Sequence, residues 1–427
     1  MTSEQSNTCY VYITLPGAVE PVVAGRYELT ADSKGKMTGR FSYGKRYLER
    51  SDTVALDPVQ LMLSDEVHIT QAMGGVFGAL RDASPDHWGR CLIQHILGNP
   101  HLGELDYLLN APDDRAGALG CGRNQRPPTP KRHFNQTLDL SELQETADVI
   151  AADELLPTDD AAGQVRRLLN AGTSMGGARP KAVVEDDGAL WIAKFNAKGD
   201  AWNNARVEHA MLLLARACGL DVALSRTVDV AGRDVLLVKR FDREKTPDGY
   251  LRSRMISALT LLGAEDTFQS REEWSYPNLA ERLRRVCAAP AENAAELFRR
   301  MTFNALISNT DDHPRNHAFL AREQDWMLSP AYDLTPTTPV SIERRNLALA
   351  CGVAGSLANA DNLVSQSERF LLNREAATAI VNQMEQTVRS QWLPIARSAG
   401  VSEKDCGKIA PAFVYPGFRI ASTPPVW

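Results

Sequence analysis

The chain has 427 residues, of which 44% are hydrophobic, 23% charged and 7% aromatic; this excludes a disordered chain and gives enough apolar side chain for a full core without disulfide or metal staples. Acidic residues outnumber basic ones, 53 to 47, and the formal charge of −6 argues against indiscriminate nucleic-acid binding by the bulk surface. Seven scattered cysteines (Cys9, Cys91, Cys121, Cys218, Cys287, Cys351, Cys406) form no CxxC pair and read as reduced thiols.

In chain order, MTSEQSNTCYVYITLPG lacks the basic region and apolar stretch of a secretory leader, and no window of about 18 apolar residues follows, so the expectation is a cytosolic chain with no membrane partner. Residues 10–125 read as a mixed α/β unit, with alternating patterns at 10–15 and 37–43 and an apolar stretch from Gly74 to Leu97 compatible with helices. RNQRPPTPK (123–131) cannot form a regular helix and marks a boundary. The glycine-rich AGTSMGGARPK (171–181) leads into strand-like runs Ala182–Glu185 and Leu190–Phe195 around the turn Asp186-Asp187-Gly188, a hairpin. Val207, Met211, Leu214, Ala215 and Cys218 share one face of a helix that Gly219 can end. Val228–Val230 and Asp234–Phe241 read as two further strands.

After about residue 250 the texture is helical, with stripes at Leu279, Leu283, Val286 and Cys287, at Leu297, Met301 and Ala305, and at Ile380, Met384 and Val388. The expected fold class is therefore α+β, a sheet-rich half (126–245) followed by a helical half (246–427) and preceded by a small α/β N-terminal subdomain (1–125); the motifs they carry are what make the two halves the expected N-lobe and C-lobe of a bilobal, protein-kinase-like core.

The densest polar cluster is SNTDDHPRNHAFL (308–320). Asp311 and Asn316 stand as D-x-x-x-x-N, the order of a kinase catalytic loop, in which the Asp takes or orients the proton of the attacking hydroxyl and the Asn holds magnesium. Seventeen residues on, Asp333 of SPAYDLTP can supply a metal carboxylate, and Mg²⁺, a hard cation, takes such oxygen ligands while bridging nucleotide phosphates. Lys194 lies on an apolar strand like the kinase lysine that pairs with phosphates, and Glu208 on the next helix could orient it. Gly176 and Gly177 permit close backbone approach to a phosphate, with Arg179 and Lys181 adding charge. Taken singly, a strand lysine, an Asp-Asp pair or a Gly-Gly pair is an ordinary rim, loop or turn feature; the linear order of all of them is what points to phosphoryl transfer. His313 and His317 are spaced like a zinc pair, but Pro314 between them disfavours the helix that would align them, so His313 is expected to orient Asp311 or a carbonyl beside Asp333, and His317 to be structural. Walker A and Rossmann fingerprints are absent.

Together TSMGGARPK (173–181), WIAKF (191–195), VKRFDR (238–243), SNTDDHPRN (308–316) and SPAYDLTP (329–336) resemble the HipA family of serine/threonine-protein kinase toxins of toxin–antitoxin systems. RFSYGKRYLERSDTVALDP (40–58), VFGALRDASPD (76–86) and DYLLNAPDDRAGALG (106–120) extend the likeness over nearly the whole chain. The resemblance implies ATP and Mg²⁺ as cofactors, Asp311 as base, and Asn316 and Asp333 as metal ligands. It implies ATP contacts at Gly176, Gly177, Ala178, Arg179, Lys181, Lys194, His313 and Tyr332, with Lys239, Arg240 and Phe241 at the adenine hinge. It further implies self-inhibition by autophosphorylation at Ser174, a HipB-like DNA-binding antitoxin as partner, DNA contact only through that antitoxin, and a protein substrate such as an aminoacyl-tRNA synthetase. Asp312 stands where some members have Gly, and Pro180 removes one N–H from the glycine-rich loop. A small-molecule kinase of the aminoglycoside-phosphotransferase type and a nucleotide-binding module without turnover remain the alternatives.

Overall fold

The computed structural model describes residues 7–131, 134–136, 139–151, 168, 179–197, 199–338 and 341–420. They fall into two compact units, each assembled from separate stretches: 1–198, 237–263 and 320–324 in the first, and 199–236, 264–319 and 325–427 in the second. Inside the first unit, side chains distant along the chain pair with one another.

That unit opens with β1 (Thr8–Thr14), β2 (Pro21–Ala31), β3 (Met37–Tyr43), β4 (His68–Thr70) and β5 (Leu119–Gly122), an antiparallel sheet in the order β4-β3-β2-β1-β5. Residues opposite one another across strands share a face, so Cys9, Tyr27 and Phe41 make one buried row. Gly39 is required on β3: a Cβ there would lie 1.8 Å from the Gly75 carbonyl oxygen, to which the Tyr27 hydroxyl donates at 2.7 Å.

The expected hairpin forms. β6 (Asn135–Gln136) runs parallel to β7 (Lys181–Asp186), and β7 pairs with β8 (Ala189–Phe195) from Lys181 opposite Lys194 to Asp186 opposite Ala189. Only Asp187 and Gly188 remain in the turn, with φ of 46° and 69°, the left-handed pair that matches strand twist in a two-residue loop.

Three carboxylates from early motifs tie this unit together. Asp82 accepts from the Ser257 N–H and hydroxyl at 2.7 and 2.8 Å and from the Thr260 hydroxyl at 2.7 Å. Asp86 caps α1 (His87–Leu97) by accepting from the Gly89 N–H at 2.9 Å, and its other oxygen meets the Lys181 ammonium at 2.6 Å, both side chains being buried. Two lysines directly opposite on one face repel, and Asp86 offsets that for Lys181 and Lys194. Asp114 pairs with Arg240 at 2.5 Å. Arg240 also makes a two-pronged contact with Asp242 at 3.0 and 2.9 Å, and Arg243 reaches Asp242 at 2.7 Å. Both guanidiniums donate to the Arg115 carbonyl, and Asp242 accepts from the Gly117 N–H. Burial pushes the Asp242 carboxyl up, but the Arg240 and Arg243 charges prevail and hold it well below the usual carboxylate range.

The second unit is mainly helical. Asn203 caps α2 (Asn204–Ala217), on which Val207, Met211, Leu214 and Ala215 are buried as the periodicity predicts, and Gly219 follows its end at φ 84°. Strand Ser225–Val230 is followed by a turn at Ala231 and Gly232 and by strand Arg233–Lys239, whose residues from Leu237 onward belong to the first unit. α3 (Tyr276–Val286) starts on the Ser275 cap with Pro277 in its first turn, α4 (Pro290–Leu306) buries Leu297, Met301 and Ala305, and α5 (Arg374–Ser398) buries Ala377, Val381, Met384 and Val388, leaving Ile380 beside that face.

Removing one partner of a buried ion cluster strands the others in a low dielectric. Asp242→Ala is therefore expected to lower stability by roughly 3–5 kcal/mol, read as a fall in the urea midpoint, whereas Lys45→Ala, which loses only the solvent-exposed pairing with Glu49, leaves the midpoint in place.

Candidate active site

Beyond α4 the chain turns through Ser308, at φ 53°, into the polar cluster. A buried serine holds that backbone conformation because its hydroxyl donates to the Ala412 carbonyl at 2.5 Å and accepts from Arg345. Asn309 ties the next position to the end of α4, its N–H donating to the Asn304 carbonyl at 2.9 Å and its side-chain amide to Asn304 Oδ1 at 3.1 Å.

The D-x-x-x-x-N segment folds on itself. The His313 N–H donates to the Asp311 carbonyl at 2.8 Å, the Asn316 N–H to the His313 carbonyl at 2.8 Å, and Asn316 Nδ2 to the Asp311 carbonyl at 3.2 Å, leaving the amide oxygen of Asn316 for a ligand. Pro314 opens a single 3₁₀ turn, Pro314–Asn316, and the two imidazoles part company, as its position between them predicts. His313 Nδ1 accepts from the Arg315 N–H at 3.1 Å, its Nε2 lies 3.0 Å from Asp266, and the Trp274 ring meets it edge-on at 4.5 Å. His317 is buried and reaches the Tyr276 hydroxyl at 3.1 Å; burial, aided by Arg300, pushes its pKa down to about 3, so it is neutral.

Asp311 and Asp312 face opposite ways. Asp311 is exposed, and partial burial together with the facing Asp333 carboxylate pushes its pKa up, with His313 and Arg271 pulling back. Asp312 is buried, accepting from the Tyr276 hydroxyl at 2.6 Å and the Ala348 N–H at 2.6 Å; burial outweighs both bonds and raises its pKa to about 7. Only Asp311 can meet a substrate.

Asp333 arrives on a second fixed loop. Ala331 is bonded on both sides, its N–H donating to the Asp221 carbonyl at 2.8 Å and its carbonyl accepting from the Ala223 N–H at 3.0 Å, and the Tyr332 hydroxyl donates to the Arg315 carbonyl at 2.7 Å. Asp333 itself sits at φ 58°, a left-handed position that Asp tolerates better than most residues. Asn316 and Asp333 line one cavity of about 10 Å³, together with the buried Arg300, Asn309 and His317. Arg300 Nη1, Asn309 Oδ1 and His317 Nδ1, which have no other partner among the described residues, bring one donor and two acceptors, a set that a single water molecule can bridge.

Among the described residues no cluster of three or more His, Cys, Asp or Glu is arranged to hold a metal ion. The donor pair here, the Asp333 carboxylate and the Asn316 amide oxygen, suits a hard cation that would share its remaining ligands with substrate phosphates. Asp266 was not foreseen: it accepts from His313 and, at 3.0 Å, from Arg315, and these two hold its carboxyl well below the usual carboxylate range despite partial burial. Its only sequence signal, an acid within AEDTFQSREEW, is shared by any solvated loop.

The remaining expected contacts are placed as follows. Lys194 is half-buried on β8, Glu208 is buried on α2, and Lys239 and Phe241 are half-buried at and beyond the end of strand Arg233–Lys239. Arg179 is exposed. In the first unit the Lys181 ammonium is turned to Asp86, and the Arg240 guanidinium is enclosed by Asp114 and Asp242. Both side chains pair with buried carboxylates. Ser174, Gly176, Gly177 and Ala178 lie outside the described residues.

A sheet-rich unit, a helix-rich unit and a D-x-x-x-x-N loop facing a further Asp define a protein of kinase type. The family model of the HipA-like C-terminal domain matches residues 173–392, more than half of the chain, and the chain belongs to that family. It is 28% identical over 359 residues, 78% of this chain and 80% of the relative, to "Putative kinase Y4mE" of Sinorhizobium fredii. It is 26% identical over 158 residues, 34% of this chain and 36% of the relative, to the serine/threonine-protein kinase toxin HipA of Shewanella oneidensis. The solved complex of HipA, HipB and operator DNA from Shewanella oneidensis contains a chain of the same fold, with a TM-score of 0.67 at 18% identity, covering 93% of this chain and 95% of that one. Among the described residues no helix is long and apolar enough to cross a membrane.

The Asp312 carboxyl makes a pH signature. Its folded pKa lies above its unfolded one, so between about pH 4 and 7 the native state binds the extra proton and stability from this group falls as pH rises. Asp312→Asn removes that slope. Relative to wild type, the variant is expected to gain stability from pH 4.5 to 7.5, by up to roughly 4 kcal/mol, measured as the difference between the two urea midpoints along the pH series.

Proposed function

We propose that this HipA-family chain is an ATP- and Mg²⁺-dependent protein serine/threonine kinase, the toxin of a toxin–antitoxin pair. A hydroxyl oxygen of the substrate attacks the γ-phosphorus of ATP, the bond from that phosphorus to the β–γ bridging oxygen breaks, ADP leaves, and the hydroxyl proton passes toward Asp311. Asn316 and Asp333 would hold the magnesium, which supplies charge neutralisation at the phosphate oxygens, and Lys194 would meet the phosphates. One observation carries this reading: Asp311 faces solvent and Asp333 while its neighbour Asp312 is locked inward, so a single carboxylate of the pair stands where an attacking hydroxyl can deliver its proton.

The relative of the same fold was solved with HipB and operator DNA, which supports a HipB-like antitoxin as partner here and DNA contact through it. An aminoacyl-tRNA synthetase is the first substrate class to test. Phosphorylation of Ser174 would place about −1.5 to −2 charge in the glycine-rich loop, where it competes with the phosphates of ATP and silences the enzyme.

Transfer of labelled γ-phosphate in a cell lysate tests this function. Wild type is expected to label protein, and Asp311→Ala to lose at least about 100-fold. Equal labelling by both discards Asp311 as base; label on a small molecule instead of protein makes the chain a metabolite kinase. Wild type is expected to inactivate slowly on preincubation with ATP, and Ser174→Ala to keep its initial rate and lose that self-inactivation, checked by phosphopeptide mapping.

A further inference from the structure

The proposed catalytic loop is held from behind by one hydroxyl group. Tyr276 is fully buried at the first position of α3, where the Ser275 cap, Pro277 and a hydrogen bond from its N–H to the Ala350 carbonyl at 2.9 Å fix its backbone. Its hydroxyl donates to Asp312 at 2.6 Å and accepts from Asn304 Nδ2 at 3.0 Å; His317 Nε2, 3.1 Å away, can fill the remaining lone pair as a second donor. The oxygen is thus used to its full capacity, and no polar group in this knot competes with another.

Two of these partners flank the proposed chemistry. Asp312 follows Asp311, and His317 follows Asn316, so one oxygen atom grips the loop immediately after the base and immediately after the metal ligand. Fixing 312 and 317 to a common point sets the span between 311 and 316 and the rotation of each about the backbone. We infer that Tyr276 is a positioning residue of the kinase reaction, its hydroxyl setting the spacing and orientation of Asp311 and Asn316. The inference rests on the kinase reading above. The Ala348 N–H, which gives Asp312 its second bond at 2.6 Å, comes from a strand-like segment next to Trp274 and Ser275, so the knot also joins the loop to the start of α3.

Tyr276→Phe keeps the ring and removes only the oxygen. Expected for phosphoryl transfer is a kcat roughly 10- to 100-fold below wild type with KM for ATP within about twofold, because the groups are misplaced and not lost. Hydrogen exchange of the amides of residues 309–317 is expected to speed up while α2 and α5 stay protected, a local effect that a general loss of stability does not give. A kcat within about twofold of wild type, with Asp311→Ala inactive, overturns the positioning role and leaves the kinase reading standing. Full activity in Asp311→Ala fails that reading itself. If Tyr276→Phe does not fold, the pair His317→Gln and His317→Leu decides. Gln can still donate to the hydroxyl and is expected to keep activity that Leu loses, whereas equal, wild-type kcat in both overturns the inference.

Discussion

Burying the carboxyl of Asp312 is the constraint on which the candidate site depends. Adjacent side chains on a turning backbone cannot point the same way, so once Asp312 is drawn inward by the Tyr276 hydroxyl and the Ala348 N–H, Asp311 must face outward. An unpaired carboxylate in that interior would be costly, and its preference for a proton shows that the two hydrogen bonds offset only part of the burial. The same knot includes Asn304 of α4 and His317, which gives the loop a rigid back without any charge pair. Ser308, at the other end, adds a left-handed backbone turn that its side-chain contacts with Ala412 and Arg345 help to hold.

The first unit solves a different problem with charge. Asp82, Asp86 and Asp114 each reach residues far along the chain, Ser257 and Thr260, Lys181, and Arg240 respectively. Buried ion pairs of this kind contribute little net stability compared with apolar replacements, but any mispairing leaves an uncompensated charge, so they select one arrangement over others. That accounts for Asp86 and Asp114 in the early motifs DASPD and DDRAG: they serve the later segments KAVV and KRFDR, and these early residues belong physically with the strands that follow.

What the sequence made legible was whatever is decided within about a dozen residues. The Asp187-Gly188 hairpin follows from two left-handed positions between alternating strands, and the buried faces of α2 and α4 from the helical period. The opposite courses of His313 and His317 follow from the proline between them. β2 escaped notice although its mixed face, PVVAGRYELTA, pairs on both sides. The sequence around Lys181 and Arg240 resembles a nucleotide site, whereas Asp86 and Asp114, which pair with these side chains, lie 95 and 126 positions away and nothing local announces them. Asp266 and Tyr276 were invisible for the same reason: an acid in a polar loop and a tyrosine at a helix start acquire roles only when the chain closes around 312–317.

Asp311 and Asp333 also show how a site can bias its own chemistry. Partial burial first, and then the like charge of Asp333, raise the proton affinity of Asp311, and His313 and Arg271 temper the effect without cancelling it. A divalent cation held by Asp333 and Asn316 would act in the opposite direction, since its charge would favour the ionised form of both carboxylates and make Asp311 the weaker proton acceptor. A weak base is adequate for phosphoryl transfer, because in a loose transition state little charge has built on the attacking oxygen when the bond to the leaving group is already long. What that reaction demands instead is alignment, and alignment is what the bonds behind the loop supply: the rigid contacts lie on the buried side, at Asp312 and His317, while Asp311 on the solvent side stays accessible to substrate.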